Sequence, residues 1–239
     1  MRLRIKFRKY GVLRFIGHLD LMRFFQKAIR RAEIDIAYTT GFSPHQIMSF
    51  AGPLGVGLSS NGEYMDIEVN SMISCQDAKK RLNEASVPGI EVTKVCVLPE
   101  DAGNAMASVA AASYTVQFRE GRGPAFDMAA ALPDFLSRDA ILIQKETKKG
   151  CREVDLRPGI YEMECRESGV YLLLDASSGS NIKPAQVLAA FLGQNGCTLQ
   201  ENALLINREE IFTNTGTAQK PVFVPLYVMG DDEICQTES

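Results

Sequence analysis

The two histidines are the side chains best suited to acid–base chemistry near neutral pH. His18 lies between Gly17 and Asp20 in RFIGHLDLMRFFQKAIRRAEI, directly before a helical pattern, and His45 lies in GFSPHQIMSF. An imidazole with its ordinary pKa of about 6.5 can take the proton of a ribose 2′-hydroxyl, and a second imidazole can serve as the acid. A structural use of His18, as a hydrogen-bond partner of Asp20 or of a main-chain carbonyl, is more frequent at such a junction. His18 is therefore a candidate catalytic residue, with ligand binding and a structural role as alternatives.

A basic helix is predicted directly after His18. Its apolar stripe repeats at helical spacing and consists of Leu21, Phe25, Ala28, Ile29 and Ala32. Asp20 is predicted to cap its start. Its cations are Arg23, Lys27, Arg30 and Arg31, and Arg14 lies just before it. Such a face can contact successive phosphates, although a merely solubilising helix has the same composition.

A long loop rich in glycine and proline is predicted over residues 37–62, AYTTGFSPHQIMSFAGPLGVGLSSNG. Phe42 and Phe50 are expected to be exposed there, where they could stack on unpaired bases beside His45. The loop matches neither a Walker motif nor GxGxxG, so it indicates no particular nucleotide. A loop of this length inside a compact domain is usually functional or contains unrecognised strands.

A strand with a cationic outer row is predicted at the N-terminus, because Leu3, Ile5 and Phe7 alternate with Arg2, Arg4, Lys6 and Arg8. We expect this row, the basic helix and the 37–62 loop to share one concave surface suited to phosphate-bearing ligands. A basic turn in KETKKGCR, residues 145–152, would join it if it lay on the same face.

The order of predicted elements favours an α+β fold of two tandem ferredoxin-like (βαββαβ) units with antiparallel sheets. Further strands are predicted at 63–69, 89–99, 113–120 and 203–213, and further helices at 74–85, 124–138 and 183–196. We expect a first domain over 1–100, a linker over 101–112, a second domain over 113–213 and a poorly ordered tail over 214–239.

The composition is that of a globular protein, with 46% hydrophobic and 23% charged residues. Residues 1–50 hold ten Lys or Arg against three acidic residues, although the whole chain has a net charge of −3, which favours a polyanionic partner for this end. The six cysteines include no close pair, so we expect no metal and no cofactor. The sequence shows no membrane span and no signal peptide, so a cytoplasmic location is expected. The oligomeric state is left open.

Three strings resemble the bacterial radical-SAM-linked (radical-SAM-associated) domain of unknown function: GHLDLMRFFQKAIRRAEI, AYTTGFSPHQIMSFAGPLGVGLSSNGEYMDIEV and KETKKGCREVDLRPGI. The resemblance covers residues 1 to about 213 and implies a radical SAM enzyme as partner. The chain lacks CxxxCxxC, the usual ligand set of the radical SAM cluster. More distantly, the tandem ferredoxin-like architecture is similar to that of CRISPR-repeat-processing endoribonucleases, and architecture alone conveys no activity.

These observations favour a non-catalytic module that recognises substrate for a radical SAM enzyme, binding RNA or another phosphate-bearing ligand. One alternative is a metal-independent endoribonuclease that uses His18. The other is an adaptor that binds only protein.

Overall fold

The computed structural model describes residues 1–147 and 150–230, in which strands outnumber helices. The strands are β1 (Arg2–Lys9), β2 (Met48–Phe50), β3 (Ser59–Glu68), β4 (Ile90–Val97), β5 (Ala111–Phe118), β6 (Leu142–Thr147), β7 (Gly150–Asp155), β8 (Ile160–Arg166), β9 (Gly169–Asp175), β10 (Leu204–Asn214) and β11 (Phe223–Pro225). The helices are α1 (His18–Arg31), α2 (Cys75–Glu84), α3 (Ala105–Ser108), α4 (Met128–Leu136) and α5 (Pro184–Gln194). The fold is thus mixed α and β, with mostly antiparallel strand pairs.

The chain divides into two compact units. Within the described residues, the first consists of Met1–Ala110 with residues 210–230, and the second is Ala111–Glu209. In the first unit the strand order is β4–β1–β3, with β2 paired to β3 and β11 paired to the residues of β10 that belong to this unit. Leu3, Ile5 and Phe7 of β1 are fully buried in a core with residues of α1 and α2, as their alternation predicts.

The cations on the second face of β1 have partners within the protein, so the prediction of an exposed cationic row is wrong. Arg4 is 1% exposed and forms a two-bond ion pair with Asp66 at 2.8 and 2.9 Å. Lys6 pairs with Glu210, and Arg8 pairs with Glu91 at 3.1 Å. These acids lie 62 to 204 positions away in sequence, so the local pattern around β1 cannot reveal them.

Helix α1 begins at His18 with Gly17 as its N-cap, whose carbonyl accepts a bond from the Leu21 N–H at 3.0 Å. Asp20 therefore lies inside the first turn, and its predicted role as the cap is wrong. Its carboxylate still lies near the positive end of the helix dipole. The predicted stripe Leu21, Phe25, Ala28, Ile29 and Ala32 is buried.

The 37–62 segment contains strands rather than one irregular loop. β2 lies inside it, and β3 begins at Ser59, four residues before the predicted strand. The pairing of β2 with β3 runs from Met48–Ile67 to Phe50–Met65. The weak apolar pattern of the segment hides these strands, because glycine, serine and asparagine occupy many of its positions.

The second unit has the strand order β10–β5–β9–β8, with the residues of β10 up to Glu209. β6 and β7 form a separate two-stranded ribbon. Helix α4 contains Pro133 and is capped by Asp127, whose carboxylate accepts from two main-chain N–H groups. The tip of the predicted KETKKGCR turn, residues 148–149, lies outside the described residues.

The two stretches predicted to be a linker and a tail contain ordered elements. The 101–112 segment holds α3, whose Ala105 N–H bonds to Asp66 at 2.7 Å. Residues 214–230 hold β11 and a 3-10 turn over Leu226–Met229. Leu226 is fully buried, and its carbonyl accepts from Arg4 at 3.1 Å. In the described part of the chain, no helix combines the length and apolar character needed to cross a membrane.

Candidate functional site

Three cations form one exposed face of α1: Arg23, Lys27 and Arg30, hereafter the helix face. Their spacing of four and three residues places them on adjoining turns, over a length of about 10 Å. Arg23 lies 3.6 Å from Asp20, but both side chains are more than 60% exposed, and such a pair is weak in water. The helix face therefore presents positive charge to solvent.

Arg31, the fourth predicted cation, is used differently. Its guanidinium donates to the carbonyl of Ala85 at 2.7 Å, at the C-terminal end of α2. Arg81 of α2 donates in return to the carbonyl of Glu33, just after α1. Arg31 thus helps join the ends of two helices rather than extending the helix face.

A short hairpin over residues 38–46, hereafter the 38–46 hairpin, carries Phe42 and His45. Tyr38 and Gln46 form an antiparallel bridge, and the Thr39 N–H bonds to the His45 carbonyl at 2.9 Å. The His45 Nδ1 lies 3.1 Å from the Thr39 hydroxyl. Phe42 is fully exposed at the tip.

One side-chain contact joins the 38–46 hairpin to α1, in addition to the main-chain bonds that hold the base of the hairpin against β3. Gln46 is 6% exposed, and its Nε2 donates to the carbonyl of Gln26 at 3.3 Å. Arg23 lies three residues before Gln26 and Arg30 four residues after it, so all three share one side of the helix. The hairpin therefore lies beside the helix that carries the helix face.

The end of the 37–62 segment contacts the turn before α1. The Gly57 N–H donates to the Arg14 carbonyl at 2.8 Å. The guanidinium carbon of Arg14 lies 4.8 Å from the centroid of the Phe15 ring, and Phe15 is 57% exposed. The Arg14 Nε is buried without a hydrogen-bond partner in the described part of the chain. A stacked cation and ring thus lie close before the start of α1.

His18 packs against the aromatic core instead of bonding to Asp20. Its half-buried ring meets Phe50 edge-on, with 5.2 Å between the ring centroids. Across residues 1–147 and 150–230, no hydrogen bond to the His18 side chain is seen. His45 has different surroundings, since it is exposed and bonded within the 38–46 hairpin. Among the described residues, no acidic or basic side chain is hydrogen-bonded to the His18 ring.

Phe50, expected to be an exposed stacking residue, is buried at 7% exposure. Its ring packs against Phe7 and Phe25, with centroids 6.2 and 6.0 Å apart. The cause is the pairing of β2 with β3, which turns this side chain into the core. Phe50 therefore lies in the core beneath the surface and cannot touch a ligand there.

Sequence reasoning did not select Gln46 or Phe15. A lone glutamine inside a predicted loop carries no signal for burial, because its role depends on a partner 20 residues away. Phe15 adjoins Ile16, and an apolar pair of this kind predicts burial. The 3-10 turn over Gly11–Phe15 instead leaves the ring of Phe15 exposed to solvent.

Over the described residues, no group of three or more His, Cys, Asp or Glu side chains is placed to hold a metal ion.

Comparison with known proteins identifies a family for this chain but no activity. No curated protein matches the chain. A family model described as "uncharacterized protein conserved in bacteria" (DUF2344) matches residues 2–184. The chain therefore belongs to this bacterial family.

Proposed function

We propose that the first unit is a recognition module that binds RNA or another phosphate-bearing ligand across the helix face and the 38–46 hairpin. The observation that carries this proposal is the Gln46–Gln26 bond, which holds the hairpin beside three exposed cations. Phosphate oxygens accept both charge-assisted and main-chain hydrogen bonds. The polar main chain of the 38–46 hairpin next to the cations of the helix face therefore suits a phosphate group.

The helix face differs from the cations of β1 in a way that favours an external anion. Arg4 and Lys6 already have buried or half-buried acids beside them. Arg23, Lys27 and Arg30 have no such internal acid within the described residues, apart from the exposed Asp20. Bringing a phosphate to these side chains therefore breaks no buried ion pair.

A binding titration tests the proposal. Fluorescence anisotropy of a labelled RNA at low salt is expected to show saturable binding, which Arg30→Ala and Arg23→Ala each weaken. Lys80→Ala is the matched control, because Lys80 is an exposed cation on α2 whose ion pair with Glu84 is long, at 4.0 Å. Absent binding would refute the RNA part of the proposal, and binding that the Lys80 change weakens equally would contradict the assignment of the ligand to the helix face.

The module is proposed to be non-catalytic, because His18 lies edge-on to Phe50 without a partner for proton transfer. Incubation of the protein with RNA in EDTA separates this from the endoribonuclease alternative. We expect no cleavage. Products ending in 2′,3′-cyclic phosphate that disappear in His18→Ala would establish the enzyme instead.

We propose that the module acts beside a radical SAM enzyme, and the support is the resemblance of the three sequence strings to the radical-SAM-linked domain. Co-purification with such an enzyme from the same bacterium, in the presence of nuclease, tests this partnership. Association that survives nuclease indicates direct protein contact. If the enzyme associates while RNA binding is absent, the adaptor alternative is correct.

We further propose that each unit is ferredoxin-like. In the first unit the strand order β4–β1–β3–β2, with α1 and α2 as the connecting helices, supports this assignment. In the second unit β5, α4, β8, β9, α5 and β10 follow each other along the chain and give the order β10–β5–β9–β8, with β6–β7 as an inserted ribbon. An experimental structure in which β1 does not lie between β3 and β4 would exclude the assignment for the first unit.

A further inference from the structure

Exposed aromatic rings lie on the 38–46 hairpin and on the turn before α1. Phe15 is 57% exposed, Tyr38 is 49% exposed, and Phe42 is fully exposed at the hairpin tip. Phe42 makes no ring contact with other described residues, and Tyr38 lies at the base of the same hairpin. Exposed rings that have cationic neighbours differ from the scattered exposed aliphatic residues found on most proteins.

The positions of these rings follow from bonds already described. The Gln46–Gln26 bond holds Tyr38 and Phe42 on the hairpin beside α1. The Gly57–Arg14 bond holds the end of the 37–62 segment against the turn that carries Phe15. The rings thus project from two supports that flank the same helix.

Arg14 and Phe15 form a platform with two kinds of stacking surface. The guanidinium lies 4.8 Å from the centroid of the ring. The Arg14 Nε is already buried. A guanidinium and an aromatic ring both stack on nucleobases, and neither requires a particular base.

This chemistry distinguishes single-stranded from double-stranded nucleic acid. A duplex buries the faces of its bases and offers mainly phosphates and groove edges to a protein. A single strand offers unpaired base faces as well as phosphates, and exposed rings contribute free energy only in that case.

We infer that the ligand of this surface is single-stranded RNA, with unpaired bases stacked on Phe15 and Phe42 and its phosphates on the helix face. The inference rests on the proposed function and deepens it. It replaces Phe50, which is buried, with Phe15 as the second stacking residue.

The test compares two probes on the full chain. One is an unstructured 12-nucleotide RNA of mixed sequence, and the other is the same strand annealed to its complement. Phe15→Ala and Phe42→Ala are each expected to weaken binding of the single strand by about 5- to 150-fold, the loss of one base–aromatic stack. Binding of the duplex should be nearly unchanged. Phe15→Tyr and Phe42→Tyr should retain affinity for the single strand.

The results of this test distinguish a failure of the inference from a failure of the proposed function. If Arg30→Ala weakens binding while the two Phe→Ala changes have no effect, or affect both probes equally, the inference is overturned and the proposed function stands. If neither probe binds the wild-type protein, the inference is overturned together with the RNA part of the proposed function. Because Phe15 and Phe42 are exposed, their replacement is expected to leave the fold intact, and far-UV circular dichroism checks this.

Discussion

Arg4 and Lys6 explain why the charge of the N-terminal residues exceeds the charge that reaches the surface. Arg4 is buried against Asp66, and Lys6 lies beside Glu210 and above the ring of Tyr227, 5.2 Å from its centroid. Lys9, 1% exposed, donates to the carbonyl of Ile16 at 3.0 Å. A count of charged residues treats these cations as equal to Arg23 and its neighbours, whereas folding gives them internal partners. Only the burial of each side chain separates the two groups.

The hydroxyl of Tyr64 provides a pH test of the contact between Tyr64 and Glu210. Burial, followed by the charge of Glu210, raises the pKa of Tyr64 above its ordinary range, so the hydroxyl stays protonated and donates to Glu210 at 2.6 Å. In the unfolded chain tyrosine ionises near pH 10, so the contribution of Tyr64 to stability is complete below about pH 10 and is lost as the pH rises further. We expect the free energy of unfolding, measured in urea, to fall more steeply above pH 10 in the wild type than in Tyr64→Phe. Parallel curves for the two proteins would exclude this role.

The strands and helices show which elements local sequence can predict. The apolar stripe of α1 and the alternation in β1 predict their types correctly, because one face of each packs on the shared core. β2 and the true start of β3 are not predicted, since their pairing depends on residues 15 to 19 positions apart rather than on local pattern. The prediction that Phe50 is exposed is wrong for the same reason. A residue's face within a strand is fixed by register, and register is fixed by the partner strand.

The position of the 38–46 hairpin gives an element-scale prediction. Gln46→Leu removes the bond from Nε2 to the Gln26 carbonyl but also removes Oε1, which is buried without a hydrogen-bond partner in the described residues. Because these two effects oppose each other, we expect a change of about 1 kcal/mol or less in the free energy of unfolding. RNA affinity should fall, because the hairpin loses its fixed position beside α1.

Gln26→Ala is the matched control for this change, since the bond uses the main-chain carbonyl of Gln26 and not its side chain. Urea unfolding and anisotropy titration of both variants measure the two effects. Equal RNA affinity for Gln46→Leu and wild type would show that the hairpin takes no part in binding.

At the scale of the whole molecule, the chain consists of two units whose strand orders correspond, and the proposed binding surface belongs to the first. The family match covers residues 2–184, so it includes the entire N-terminal stretch that carries the helix face and the 38–46 hairpin. The order of elements along the sequence predicts α1, α2, α4 and α5 but not the short helix α3. It does not predict that the chain from Glu210 onward returns to the first unit, because that return depends on contacts such as Arg4 with Leu226.

The salt dependence of RNA binding is the most direct measurement of whether the helix face holds phosphates. Each phosphate contact with a single strand contributes about −0.7 to the slope of log affinity against log salt concentration. The triple variant Arg23→Ala, Lys27→Ala, Arg30→Ala is therefore expected to bind more weakly, with a slope smaller in magnitude by about 2. The Lys79→Ala, Lys80→Ala variant of α2 should keep the wild-type slope. A triple variant whose slope equals that of the wild type would contradict the binding of phosphates by α1.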